Sequence, residues 1–137
     1  MRLALWLVLI GACGGGPSIP GGDDDAPPPD GGPGPDGTGL ISFNWQIAIG
    51  GSLAECVELG AVEVELLSMN VATNEEFLRR FGCAPTGTGT SNPLPPGTYS
   101  NLISLLDSSA LSIQTQSNAQ TVSADQVANA GLIIFNF

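Results

Sequence analysis

The sequence predicts an all-β domain: a single antiparallel β-sandwich of about seven strands occupying residues 40–137. Three observations carry this. Apolar and polar residues alternate with period two in several short runs, which is the pattern of half-buried strands. Gly, Pro, Asn, Asp and Ser clusters separate those runs at the spacing of a sandwich. No stretch carries a long amphipathic helical pattern, and no internal repeat is present.

The first strand opens at Leu40. Ile41, Phe43, Trp45, Ile47 and Ile49 alternate with Ser42, Asn44, Gln46 and Ala48, and Gly50-Gly51 ends the run. A loop holding Cys56 follows. From Ala61 to Ser68, Val62, Val64 and Leu66 share one phase while Glu63 and Glu65 take the other, giving an acidic outer face. Asn70 to Glu75 reads as a turn. Glu76 to Cys83 puts Phe77, Arg79, Phe81 and Cys83 in one phase and reads as a strand. The i,i+4 pair Glu75 and Arg79 offers a helix as the alternative.

Pro85 to Pro93 has the composition of a loop. Pro96-Gly97 suits the centre of a type II turn, with Pro setting φ and Gly taking the positive value. A strand from Thr98 to Leu106, a turn at Asp107-Ser108-Ser109 and an alternating run at Leu111, Ile113 and Thr115 follow. A short strand near Thr121 to Ser123 and a polar segment, Ala124 to Asn129, precede the last strand. That strand spans Gly131 to Phe137 and has Ile133, Phe135 and Phe137 in phase.

Upstream of this domain the composition changes. Residues 14–39 are Gly, Pro and Asp with almost nothing apolar, so ordering them would not be offset by burial, and the sequence reads as a disordered linker. A flexible coil of that length spans about 30 Å, and a fully extended polyproline form about 80 Å. Asp23, Asp24, Asp25, Asp30 and Asp36 lack the regular ligand spacing and closing Glu of a Ca²⁺ loop, so a solvated spacer is the simpler reading.

Residues 1–12 read as a signal peptide: Arg2, then the apolar run Leu3 to Ile10, then Gly11 and Ala12. The run is too short to span a bilayer as a helix, which takes about 20 residues. Ile10-Gly11-Ala12-Cys13 resembles the lipobox of bacterial lipoproteins. The resemblance implies cleavage before Cys13 and acylation of its thiol, so that the membrane is a partner through a lipid anchor. Gly14 stands where an Asp would be similar to an inner-membrane retention signal, which implies an outer-membrane address in a bacterium with two membranes. An ordinary signal peptide with Cys13 incidental is the alternative.

A second resemblance lies in Leu94-Pro95-Pro96-Gly97-Thr98-Tyr99 and the strand–turn–strand after it, together residues 92–116. These are similar to the prealbumin-like and immunoglobulin-like sandwich modules of bacterial surface proteins. The resemblance implies architecture only, because such modules share no single activity. Modules of this kind that crosslink themselves use a Lys, and this chain has none.

Charge and composition exclude several functions. The chain carries 13 acidic and three basic residues, no His, and a net charge of −10. Nucleic-acid binding depends on Lys and Arg neutralising phosphates, so it is not expected here. Without His or Lys, the common general bases and nucleophilic dyads are missing. Carboxylate pairs at Glu55 and Glu58 or at Glu75 and Glu76 could in principle serve a two-carboxylate mechanism, but each reads more simply as a solvated charge. Gly87 and Gly89 lack the Lys and the strand-to-helix setting of a phosphate loop. The reading is therefore of a non-enzyme without cofactor or metal.

Cys56 and Cys83 form an even pair in an exported, oxidising setting, which points to a disulfide contributing about 3 kcal/mol. Trp45 could stack on a sugar but shares its phase with Phe43 and Ile47, which favours the core. Arg79-Arg80 must send one side chain outward, toward Glu75 or Glu76 or toward an acidic partner. The expected function is a structural or interaction module at the cell envelope. The alternative is a carbohydrate- or small-ligand-binding module using loops 50–60 and 84–96. An envelope protein or a glycan would be the partner.

Overall fold

The computed structural model describes residues 37–137. The expected signal peptide, Cys13 and nearly all of the linker lie outside the described residues. Eight strands form two sheets: β1 (Leu40–Ile49), β2 (Ser52–Leu53), β3 (Ala61–Asn70), β4 (Glu76–Gly82), β5 (Thr86–Thr90), β6 (Gly97–Asp107), β7 (Ser112–Val122) and β8 (Val127–Asn136). A 3-10 turn, Cys56–Leu59, joins β2 to β3.

The first sheet is built on β1. Strand β8 runs along one edge of β1 from Leu40↔Val127 to Ala48↔Asn136. Strand β5 pairs with the other edge at Ser42 to Gln46, and β2 continues that edge at Ala48 and Ile49. The second sheet has the order β4-β3-β6-β7, antiparallel throughout. Residues 40–137 are thus all-β as expected, with one correction. The β1–β8 pair is parallel, so the sandwich is not purely antiparallel. Parallel neighbours need a crossover, and here the crossover is the entire second sheet.

The alternation of β1 sets the core. Ile41, Phe43, Trp45 and Ile47 point between the sheets and are buried. Phe43, Trp45 and Ile47 join Val64, Leu66, Ile103, Leu105, Ile133 and Phe135 in the larger cluster. Ile41 belongs to a smaller cluster with Leu94, Tyr99 and Val122. Trp45 is therefore a core residue, and its indole N–H donates to the Ala84 carbonyl at 3.0 Å. Gly50 and Gly51 end β1 with φ of 56° and 85°, values that favour glycine.

Several local readings change. Residues 86–90 form strand β5 where a loop was expected. Thr-Gly-Thr-Gly-Thr has no apolar face, so period-two hydrophobicity does not reveal it. Its inner face is bare backbone, and that is why it fits. A Cβ on Gly87 would overlap the Trp45 indole, and one on Gly89 would overlap the Phe43 ring. The strand is defined by the rings it covers.

Val62 is exposed, although its parity matches Val64 and Leu66. The β3–β6 register shifts between Ala61 and Glu63, and the bulge turns Val62 outward. Gly97 does not take positive φ, so Pro96-Gly97 is not the expected type II turn. Gly97 begins β6, where a Cβ would lie 2.9 Å from Asn70 Nδ2 and would require that amide to shift. Strand β7 is continuous through Val122, absorbing the separate short strand expected near Thr121. Glu76 to Gly82 is strand β4 and not helix. Phe137, expected in phase with Ile133 and Phe135, is exposed beyond the end of β8.

Gly87→Val should lower stability by about 1–3 kcal/mol or more, because the new side chain meets the Trp45 ring. Gly82→Ala, with nothing near its added Cβ, should change stability by less than about 0.5 kcal/mol. Urea unfolding of the two variants beside the parent chain measures the contrast, and equal midpoints would show that the close packing of β5 on the rings carries no weight.

Candidate functional site

The strands define two poles. At one, residues 37–40 are clamped: Gly39 exchanges backbone hydrogen bonds with Leu94 at 2.9 Å in both directions, and Leu40 N–H donates to the Gln126 carbonyl. The β3–β4 turn after Asn70 and the β7–β8 turn at Ser123 to Gln126 lie at this pole. Strand β1, ten residues long, then runs about 30 Å to the opposite pole. Gly50-Gly51, β2, the 3-10 turn, the β6–β7 turn and Phe137 gather there. Phe137 is held by two bonds: its N–H donates to the Ala48 carbonyl, and Gly50 N–H donates to the Phe137 carbonyl.

The far pole is rigidly built. Cys56 and Cys83 are joined by the expected disulfide, with Cα atoms 6.1 Å apart. It ties the 3-10 turn to the end of β4. The turn has a reciprocal cap, in which Glu58 Oε2 accepts the Glu55 backbone N–H at 2.9 Å and the Glu55 side chain accepts the backbone N–H of Glu58. Gly60, at φ 67°, closes it by donating back to Val57 and Cys56 carbonyls. On the other side, Asp107 Oδ1 accepts the Ser109 and Leu111 backbone N–H groups at 2.8 and 3.0 Å.

This frame exposes several apolar side chains among polar ones. Val57 is 82% exposed, Leu111 65% and Leu53 60%, with Ile49 and Phe137 also open to solvent. Glu55 and Glu58 flank Val57 in sequence, and Asp107 starts the neighbouring turn. Ile49 and Leu111, expected in phase with Ile47 and Ile113, are exposed at the end of β1 and in the turn before β7, whereas Leu53 and Val57 carried no expectation. Their exposure follows from chain ends and turns, which hydrophobic patterning does not register.

The other expected site residues separate. The stretch 84–96 does not form a loop facing 50–60. Ala84 and Pro85 lie near the far pole, β5 then runs along the middle of β1 from Gln46 to Ser42, and Leu94 sits at the pole where residues 37–40 enter. The two candidate carboxylate pairs, Glu55 with Glu58 and Glu75 with Glu76, lie at opposite poles, and all four side chains are exposed. Arg80 points outward, but it meets Glu65 at 2.8 Å and Glu63 at 3.6 Å across the β3–β4 ladder and not Glu75 or Glu76. Such an exposed pair contributes about 0.2–1 kcal/mol. Arg79 shares the phase of Phe77 and Phe81 but stays exposed: its Nη1 donates to the Ser91 carbonyl at 3.0 Å, and its guanidinium lies 5.6 Å from the Phe81 ring centroid. That contact, together with Asn92 Nδ2 donating to the Leu78 carbonyl, laces β4 to the segment after β5.

No protein-family profile and no curated protein matches the chain. Among solved structures, a leucine-rich repeat protein from Bacteroides thetaiotaomicron is similar at 18% identity and a TM-score of 0.41, over 78% of this chain. The chain spans 14% of that protein's length.

Replacing both Cys56 and Cys83 with Ser should cost about 2–4 kcal/mol, read as a lower urea midpoint. In the parent chain, non-reducing peptide mapping should recover a Cys56–Cys83 peptide; two free thiols there would refute the bridge.

Proposed function

We propose that this chain is a bacterial lipoprotein, anchored through acylated Cys13, whose sandwich is a non-catalytic structural or interaction module at the outer membrane. The observation that carries the reading is the placement of a disulfide-tied, capped frame at the pole opposite the one where the chain enters. The chain enters at one pole, and the opposite pole holds exposed Val57, Leu53 and Leu111 on a disulfide-tied, capped frame. An anchor and spacer upstream would turn that pole away from the bilayer. Rigid presentation lowers the ordering cost of binding. The acidic net charge makes the domain a poor binder of anionic headgroups, so attachment falls to the acyl chains, of which stable anchoring takes more than one.

The architecture supports a finer assignment to the prealbumin-like or immunoglobulin-like sandwiches. Sheet orders β5-β1-β8 and β4-β3-β6-β7, with β1 and β8 the parallel pair, fit a prealbumin-like arrangement. Tyr99 adds a second feature. It is fully buried near the start of β6, and its hydroxyl donates to the Pro95 carbonyl at 2.8 Å, as in the tyrosine corner of immunoglobulin-like domains. The glycan-binding alternative is weaker. Trp45, Phe43 and Tyr99 are buried, and loops 50–60 and 84–96 do not close a common cleft.

Cys13→Ala should move the protein from the membrane to the soluble fraction, and unchanged membrane association would sink the lipid anchor. Applied to a glycan array, the Cys13→Ala chain should bind no sugar above background. Saturable binding to any glycan would favour the alternative. Tyr99→Phe should cost about 1–2 kcal/mol in urea unfolding, since it leaves the Pro95 carbonyl without its donor; no measurable loss would remove the corner from the argument.

A further inference from the structure

The two apolar clusters are divided by a polar row. Along the inner face of β6 the order is Tyr99, Asn101, Ile103, Leu105. Tyr99 belongs to the smaller cluster, and Ile103 and Leu105 to the larger. Asn101 stands between them. Its cross-strand partners in the same row are Ser68 on β3 and Asn118 on β7. Asn101 is 0% exposed and Ser68 is 1% exposed. Asn101 Nδ2 donates to Asn118 Oδ1 at 3.0 Å. The remaining atoms, Asn101 Oδ1, Asn118 Nδ2 and Ser68 Oγ, are buried without a hydrogen-bond partner in the protein.

Leaving such groups unpaired costs far more than their hydrogen bonds contribute, and native interiors pair them with protein or ordered water. Neighbouring strands place side chains of one row about 5 Å apart, so the three atoms form one local set of a donor, an acceptor and a hydroxyl. The opposite sheet brings small side chains to this level. Ala130 packs against both clusters and therefore lies over their boundary, and Ala128 packs against the smaller one.

We propose that Ser68, Asn101 and Asn118 form an internal binding site for ordered water between the sheets. One water molecule accepts from Asn118 Nδ2 and donates to Asn101 Oδ1, closing the side of the amide pair that the Asn101–Asn118 bond leaves open. Ser68 Oγ, able to donate or accept, supplies the third partner directly or through a second molecule. About three partners is the usual complement of a buried water. Gln114, Gln116 and Gln120 share the inner face of β7 with Asn118 and are half-buried. They make a polar path along that strand by which the bound water exchanges with solvent.

Water ¹⁷O relaxation dispersion on the purified Cys13→Ala chain tests this, together with a high-resolution crystal structure of the same protein. The expected result is at least one long-lived water, with density within about 3.2 Å of both Asn101 Oδ1 and Asn118 Nδ2. The variant Ser68→Ala, Asn101→Leu, Asn118→Leu should lose one long-lived water relative to its parent. Absence of density between the two amides, absence of a dispersion step, or an unchanged step in the folded triple variant would each overturn the site. If the triple variant does not fold, the crystal structure of the parent decides alone.

Discussion

The structure depends on how β1 is enclosed. Its four inward side chains, Ile41, Phe43, Trp45 and Ile47, are buried, and both of its backbone edges are paired. A strand so placed must have its rings accommodated by something thin on one side. Strand β5 does this with two glycines, whose bare backbone lies against the Trp45 and Phe43 rings. Phe81 of the second sheet completes the aromatic group, 5.6 Å from Phe43 in an edge-on arrangement and 5.9 Å from Trp45. The sheets are thus joined by aromatic contact where β4 and β5 come together, and the Cys56–Cys83 bridge ties the end of β4 to the 3-10 turn.

The opposite flank of the sandwich is built differently. Strand β7 sends Gln114, Gln116, Asn118 and Gln120 to its inner side, and its direct link to β8 is a long contact from Gln116 Nε2 to the Ile134 carbonyl at 3.5 Å. One flank is therefore sealed by rings and a disulfide, and the other by amides. Apolar area buried between sheets supplies the main driving force, so the amide flank is the less strongly held. This asymmetry agrees with the proposed hydration of the row that begins on β7.

The two poles divide the work of the domain. The entry pole is fastened by backbone hydrogen bonds among residues 38–40, Leu94 and the turn before β8. Gly39 fits there only because a Cβ would collide with Val122 and with the backbone of Ser123 and Gln126. The far pole uses covalent and capping constraints to hold turns that bury little of their own surface.

Much of this was legible in the residues themselves. The alternation of Ile41, Phe43, Trp45 and Ile47 determines a strand with one buried face, because period-two spacing places them together whatever their neighbours are. The same holds for Val64 and Leu66, for Ile103 and Leu105, and for Ile133 and Phe135. Asn101 was legible in principle, as a polar residue in the phase of Tyr99 and Ile103. The pairing of Cys56 with Cys83 followed from parity and setting. What only the tertiary structure decided are features that depend on a distant partner. Strand β5 has no apolar signal of its own and exists because β1 offers it two rings and an edge. Val62 faces out because a bulge opposite β6 breaks its parity. Strand β8 lies parallel to β1 because the intervening chain returns to the pole where it began, and Gly97 sits against the Asn70 amide instead of completing a type II turn. Local sequence sets which face a strand can bury; long-range packing sets which strands meet, and in which direction.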